Sequence, residues 1–250
     1  MWLVICEPDD TSALWAYQGL RRRGLTPIEL VSPAVLGSSL RWEHRVDSDG
    51  ATIKITLADG RRIHDGELRG VLNRMYSVPL TMWNRAAETD RLYVQQELFA
   101  FYLSWLHSLP CPVFNRSTAM GLAGAWRPES AWLCLAATAG LPTPVYRQTN
   151  FDRVDETLGQ RRLLPAGIQA HSVIVAGQTV AGAAVPAAIG AGCLRLAQLS
   201  ATDLLGVDFI AGSAGAWTFA GATPLPELRL GGDPLLDALA AAMREGSSAS

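Results

Sequence analysis

Apolar and polar residues open this chain in blocks. "WLVICEP" is a short apolar run closed by Pro8. Asp9 and Asp10 follow as candidate N-caps for "TSALWAYQGLRRRG", where Leu14, Tyr17 and Leu20 recur on one face and Gly24 supplies a stop. "TPIELVS" then reads as a second strand. Strand, capped helix and strand within about 30 residues predict a βαβ unit and hence a parallel sheet. The period next falls to two. "SLRWEHRVDSDGATIKITLADGRRI" alternates on either side of Ser48-Asp49-Gly50 and turns again at Asp59-Gly60, the pattern of a β-meander. "LRGVLNR" (68–74) is a buried-type strand that returns to the sheet.

The clearest helical period lies in "ETDRLYVQQELFAFYLSWLHSLP". Val94, Leu98, Phe101 and Trp105 form its stripe and Pro110 ends it. His107, in its last turn, reads as a dipole or packing residue. "CPVFNRSTAMGLAGAWRPESAWLCLAATAGLPTPVY" predicts a strand to Asn115, a small-residue helix, and a second helix from Pro128 to Ala139 stopped by Gly140. "HSVIVAG" and "TVAGAAV" pair across Gly177-Gln178, "AGCLRLAQLS" is helical, and "LLGVDFIAGSAGAWTFAGATPLP" is a hairpin. "DPLLDALAAAMRE" is a terminal helix with Asp233 as N-cap and Pro234 at its first position. The expected division is an α/β domain at 1–115, a second domain at 116–245 and a frayed tail at 246–250.

Composition narrows the classes. Apolar residues make up 49% of the 250 and charged residues 18%, enough for a sizeable core. No apolar run approaches the roughly 20 residues that span a bilayer. The opening turns acidic at once, unlike a secretory leader, so a cytoplasmic protein is expected. A net charge of −2 argues against nucleic acid or a membrane surface as partner. Cys6, Cys111, Cys134 and Cys193 are scattered without a CxxC pair and are expected to be buried thiols. His44, His64 and His171 show no metal-ligand spacing. There is no nucleophile elbow, P-loop or GxGxxG. One bias has chemical weight: Lys54 is the single lysine, so 20 of the 21 basic residues are arginine.

The order of these elements resembles the ATP-grasp superfamily, in particular its small ligases that join a carboxylate to an amine on peptides. "VFNR" followed by "AATAGLPTPVY" resembles the junction from the pre-ATP-grasp domain into the nucleotide-binding part. "HSVIVAGQTVAGAAV" resembles a strand pair of that part, and "LLGVDFIAGSAGAWTFAGATPLP" its metal-binding hairpin. The resemblance implies an N-terminal pre-ATP-grasp-like α/β domain followed by an ATP-grasp-like one, in an overall α/β (α+β) chain.

The departures carry the functional content. On the family pattern Gly221 stands at the glutamate position and Thr223 at the asparagine position, while Asp208 is retained. The family's phosphate-holding lysines have no counterpart, because residues 117–250 contain none. Between Pro144 and His171 lie 26 residues, including Arg147, Arg153, Arg161 and Arg162, too few for the lid that covers ATP. The resemblance therefore implies a truncated, degenerate member with no cofactor or metal. It would be non-catalytic or accessory, binding a peptide, a small molecule or a partner ligase, in a homo- or hetero-oligomer. The alternative is an ATP- and Mg²⁺-dependent carboxylate–amine ligase with an arginine-based phosphate site completed by a partner chain.

Two strands end in Asn-Arg: Asn73-Arg74 and Asn115-Arg116. Strand ends are where α/β domains place their sites. Either each Asn caps a turn and each Arg is ion-paired or solvated, or the four line one cleft whose guanidinium forks hold a carboxylate. Arg127, in "GAWRPESAWLCL" with Trp126, Glu129 and Trp132, and Asp208 complete the ligand-binding candidates.

Overall fold

The computed structural model describes residues 1–147, 170–212 and 216–246. It packs as two units, Met1–Trp126 with Leu236–Ser250, and Arg127–Leu235. The first grows from the expected βαβ unit: β1 (Trp2–Ile5), α1 (Thr11–Arg22) and β2 (Ile28–Val31), with β1 and β2 parallel and Trp2 opposite Ile28. Asp10 caps α1, its carboxylate accepting the Ala13 N–H at 2.8 Å. The buried face of α1 is Ser12, Ala13, Ala16, Gly19 and Leu20, whereas Leu14 and Tyr17 are only half-buried. Small residues win that face because something must come close. A methyl group on Gly19 would stand 2.4 Å from a Leu236 methyl carbon.

A short α2 (Pro33–Gly37), capped by the Ser32 hydroxyl, leads into the meander β3 (Arg41–Asp47), β4 (Gly50–Thr56) and β5 (Arg62–His64). Its turns fall where Asp-Gly predicted them, and Ile53, Ile55 and Ile63 point inward at period two. β6 (Gly70–Asn73) is fully buried and lies parallel to β1 on the side away from β2. α3 (Glu88–Ser108) then returns the chain to β7 (Val113–Phe114), giving the sheet order β2-β1-β6-β7.

The stripe expected on α3 is buried progressively along the helix. Val94 and Leu98 are half-covered and Trp105 is fully covered. There Trp42 of β3 meets Phe101, Tyr102 and Trp105 edge-on, with centroids 5.0, 5.2 and 4.9 Å away. Edge-to-face contacts of this kind add to the area they bury.

After β7 the expected small-residue helix does not form. Residues 116–128 are irregular, with one bridge between Thr118 and Gly121. Gly124 adopts φ +94°, and a Cβ at Gly121 would meet the Gly124 carbonyl oxygen at 2.5 Å. Glycines at those two places make a helix costly and a tight loop accessible.

The second unit begins with α4 (Glu129–Thr138), ended as predicted at Gly140, φ +76°. β8 (Ala170–Ala176) and β9 (Thr179–Gly182) form the two-residue hairpin over Gly177-Gln178, with Gly177 at φ +58°. After α5 (Ala187–Leu199) come β10 (Leu204–Ala211) and β11 (Trp217–Thr223), giving the antiparallel order β11-β10-β8-β9. Val173, Val175, Leu205, Val207, Phe209 and Phe219 form the inner face of this sheet. Trp132 and Ala136 of α4, with Ile189, Cys193 and Leu196 of α5, cover it.

α6 (Gly232–Gly246) starts one residue before Asp233, so the expected cap and Pro234 both fall inside its first turn, and from Leu236 onward it belongs to the first unit. The compact units thus run differently from 1–115 and 116–245. Residues up to 126 stay with the first unit, and the terminal helix returns to it beside Gly19. The tail residues 247–250, the hairpin turn 213–215 and the lid stretch with Arg153, Arg161 and Arg162 lie outside the described residues. Arg147 is described and exposed.

No helix among the described residues is long and apolar enough to cross a membrane. Three of the cysteines are buried, and burial pushes the Cys6 and Cys111 thiols up to about 11 and Cys193 to about 12. Cys134 departs from the expectation of four buried thiols. It sits on the outer side of α4 and is exposed.

Candidate functional site

The two Asn-Arg strand ends are brought close together, and protein groups occupy them. Asn73, fully buried, donates from Nδ2 to the carbonyls of Asn115 (3.2 Å) and Leu122 (2.7 Å). Its Oδ1 accepts the Met75 N–H at 3.1 Å. One amide thus ties the end of β6 to β7 and to the 116–126 loop, and satisfies backbone groups that burial would otherwise leave costly.

Arg74 is 6% exposed, and its Nε donates to Asp10 Oδ2 at 2.6 Å. Asp10 therefore does two jobs, capping α1 with Oδ1 and pairing Arg74 chiefly through Oδ2, with a longer 3.5 Å contact to Oδ1. Arg116 donates to the carbonyls of His107, Leu109 and Cys111 at 2.9, 3.2 and 2.9 Å, closing the C-terminal end of α3. Asn115 is buried beside Asn73. Of the two readings of these residues, the geometry matches capping and ion pairing.

Arg127 donates to the Ser200 carbonyl at 2.8 Å and lies over the Trp132 ring at 5.2 Å, which fastens the start of α4 to the end of α5. Trp126 is 64% exposed, and Glu129 is exposed in the first turn of α4.

Asp208 has a different setting. Val207 and Phe209 point into the core, so alternation turns Asp208 to the opposite face of β10. Its register partners are Ser172 on β8 and Gly221 on β11. The Ser172 hydroxyl donates to Asp208 Oδ1 at 2.6 Å. On the other side there is open space: a Cβ on Gly221 would meet nothing within 4 Å. The pairing slips by one residue immediately after Asp208, a bulge that leaves Ala220 unpaired. Thr223 turns its hydroxyl to the Leu225 N–H at 3.1 Å, bracing the exit turn.

Sequence reasoning found Asp208, Gly221 and Thr223. It missed Ser172, for which only its position after His171 in an apolar strand gave a hint. His171 lies on the other face, edge-on to Trp217 at 5.2 Å.

This donor set can be tested against the metal that the fold family's chemistry calls for. Mg²⁺ requires hard oxygens in near-octahedral array and draws on carboxylates. Across its two strand pairs Asp208 meets a glycine and a serine hydroxyl that is already donating to it, and no second carboxylate. Among the described residues no three His, Cys, Asp or Glu side chains gather to hold an ion. The set does not fit a pair of magnesium ions.

No protein-family model matches the sequence, and no curated protein matches it. Solved structures do. The macrocyclase MdnC from Microcystis aeruginosa MRC, bound with precursor peptide MdnA, is 13% identical, with a TM-score of 0.75 over 98% of this chain and 100% of that one. The macrocyclase MdnB of the same organism is 14% identical, with a TM-score of 0.72 over 98% and 99%. The ATP-grasp ligase PsnB, complexed with a phosphomimetic variant of its minimal precursor, Mg and ADP, is 19% identical, with a TM-score of 0.72 over 96% and 98%. Identities this low speak for backbone architecture, and the architecture agrees along nearly the whole chain. The chain has an ATP-grasp-like fold.

Proposed function

We propose that this protein is a non-catalytic, accessory ATP-grasp-like protein that binds a peptide, a small molecule or a partner ligase in a peptide-modification pathway. The observation that carries this reading is the strand pair on which Asp208 faces Gly221 instead of a second acid. Phosphoryl transfer depends on neutralising the charge that develops on the phosphates. One carboxylate beside a serine and a glycine is a poor platform for the ions that would do so. Peptide binding is supported by neighbours of like fold solved with precursor peptides.

Calorimetric titration with a leader-type peptide tests the reading. Saturable binding without nucleotide is expected. Peptide binding that appears only with Mg·ATP, together with ATP hydrolysis abolished by Asp208→Asn, would favour the ligase alternative instead.

Gly221→Glu should be accommodated, because the space is open, at a cost of about 0.5 kcal/mol from placing like charges directly opposite. Mn²⁺ should then stabilise this variant, by about 1.4 kcal/mol at ten times its Kd, while leaving the parent protein's melting temperature unchanged. An equal Mn²⁺ shift in both proteins would show that the parent site already binds the ion.

A further inference from the structure

The first unit contains a cleft of about 520 Å³ between the β2 edge and the meander. Val31, Leu57 and Ile63 form an apolar floor, and Arg61, Arg62 and Arg69 stand on its rim. The three arginines are held differently. Arg61 is committed: it donates to Asp59 at 2.7 Å, to Glu29 at 2.8 Å and to the Leu30 carbonyl at 3.3 Å. It therefore also covers the outer edge of β2, which would otherwise be open to another strand. Arg62 is exposed, and its side chain has no hydrogen bond or ion pair among the described residues. Arg69 is exposed too, with its guanidinium laid over the buried Trp2 ring at 5.2 Å. Ring contact restrains the guanidinium plane and leaves its edge donors available. Facing these two cations on the rim is the exposed Glu67, and Glu29 is already spent on Arg61.

Size, floor and rim constrain the ligand. The volume is within the range of small-ligand pockets, which are typically apolar with a few placed polar groups. Guanidinium forks match a planar, two-oxygen acceptor, and an apolar floor next to them asks for carbon. We infer that this cleft binds a carboxylate carried on an apolar body, as in a peptide where Asp or Glu is flanked by leucine or phenylalanine. The inference names the chemistry of the peptide proposed above and rests on that reading.

The test is calorimetry on the full chain with acetyl-Leu-Glu-Leu-Asp-Phe-amide. Its Gln/Asn counterpart and phenylacetate serve as comparison ligands. The acidic peptide should bind about tenfold more tightly than the neutral one, and Arg62→Ala with Arg69→Ala should remove that advantage. Phenylacetate should compete for the same site if a free acid suffices, and should fail to compete if flanking peptide is needed. The two side chains are exposed, so an unchanged melting temperature will show that the double variant is folded. Equal affinity for acidic and neutral peptides, or a double variant within twofold of the parent, overturns the assignment. Peptide binding that keeps its full acidic preference in the double variant removes this cleft while leaving the peptide reading intact. Micromolar binding of Mg·ATP would instead remove that reading.

Discussion

Replacing Trp105 with alanine is expected to cost the first unit about 4 kcal/mol, a large share of the 5–15 kcal/mol that holds a domain together. Trp105 is fully buried, and its ring lies edge-on to Trp42 and near Tyr102 at 6.0 Å. Truncation would leave a cavity between α3 and β3 that two rigid elements cannot close. The indole N–H has no partner among the described residues, so no hydrogen bond to them is lost with it. Trp105→Phe therefore keeps most of the buried area and should cost less than half as much. Urea unfolding followed by circular dichroism measures both. Trp126→Ala, at a 64% exposed site, is the control and should change stability by no more than about 0.5 kcal/mol. A Trp105→Ala loss no larger than that of Trp126→Ala would mean the aromatic cluster is not the core of this unit.

Gly182→Ala should destabilise the second unit by about 3 kcal/mol, for two reasons that act together. Its φ is +100°, a region that side chains avoid, and an added Cβ would stand 2.6 Å from the Ser172 carbonyl oxygen. That oxygen belongs to backbone, so it cannot rotate away. The strain falls on the residue whose hydroxyl holds Asp208. Gly177→Ala separates the two causes, since its φ is +58° with nothing within 4 Å. It should cost about 1 kcal/mol. Equal losses at the two glycines would show that the close approach to Ser172 contributes nothing.

Much of the architecture was legible because period and punctuation agreed. Trp105 and Leu98 mark the α3 stripe, Ser48-Asp49-Gly50 and Gly177-Gln178 mark two hairpins, and Gly140 ends α4. Other features depended on partners distant in sequence. Nothing local says that α1 must bury Gly19 rather than Leu14, because the reason is Leu236. The Asn-Arg pairs were visible as unusual strand ends, but their roles were set by Asp10 for Arg74 and by the α3 carbonyls for Arg116. The helix expected after Asn115 failed where Gly121 and Gly124 favour a loop and Asn73 holds the Leu122 carbonyl. The arginine-rimmed cleft was invisible, since Val31, Leu57, Ile63 and Arg69 meet only once the meander docks on β2. Asp208 and Gly221 could each be singled out from the resemblance, but their pairing could not, because an unbroken register from Ala211 and Trp217 would set Asp208 opposite Ala220 and the bulge moves it to Gly221.

With Gly221 opposite Asp208, that strand pair should be unable to grip magnesium and triphosphate. Calorimetric titration of the 250-residue chain with ATP and Mg²⁺ tests this most directly. No saturable heat up to millimolar nucleotide is the result expected. A micromolar dissociation constant that is lost in Asp208→Asn would contradict it.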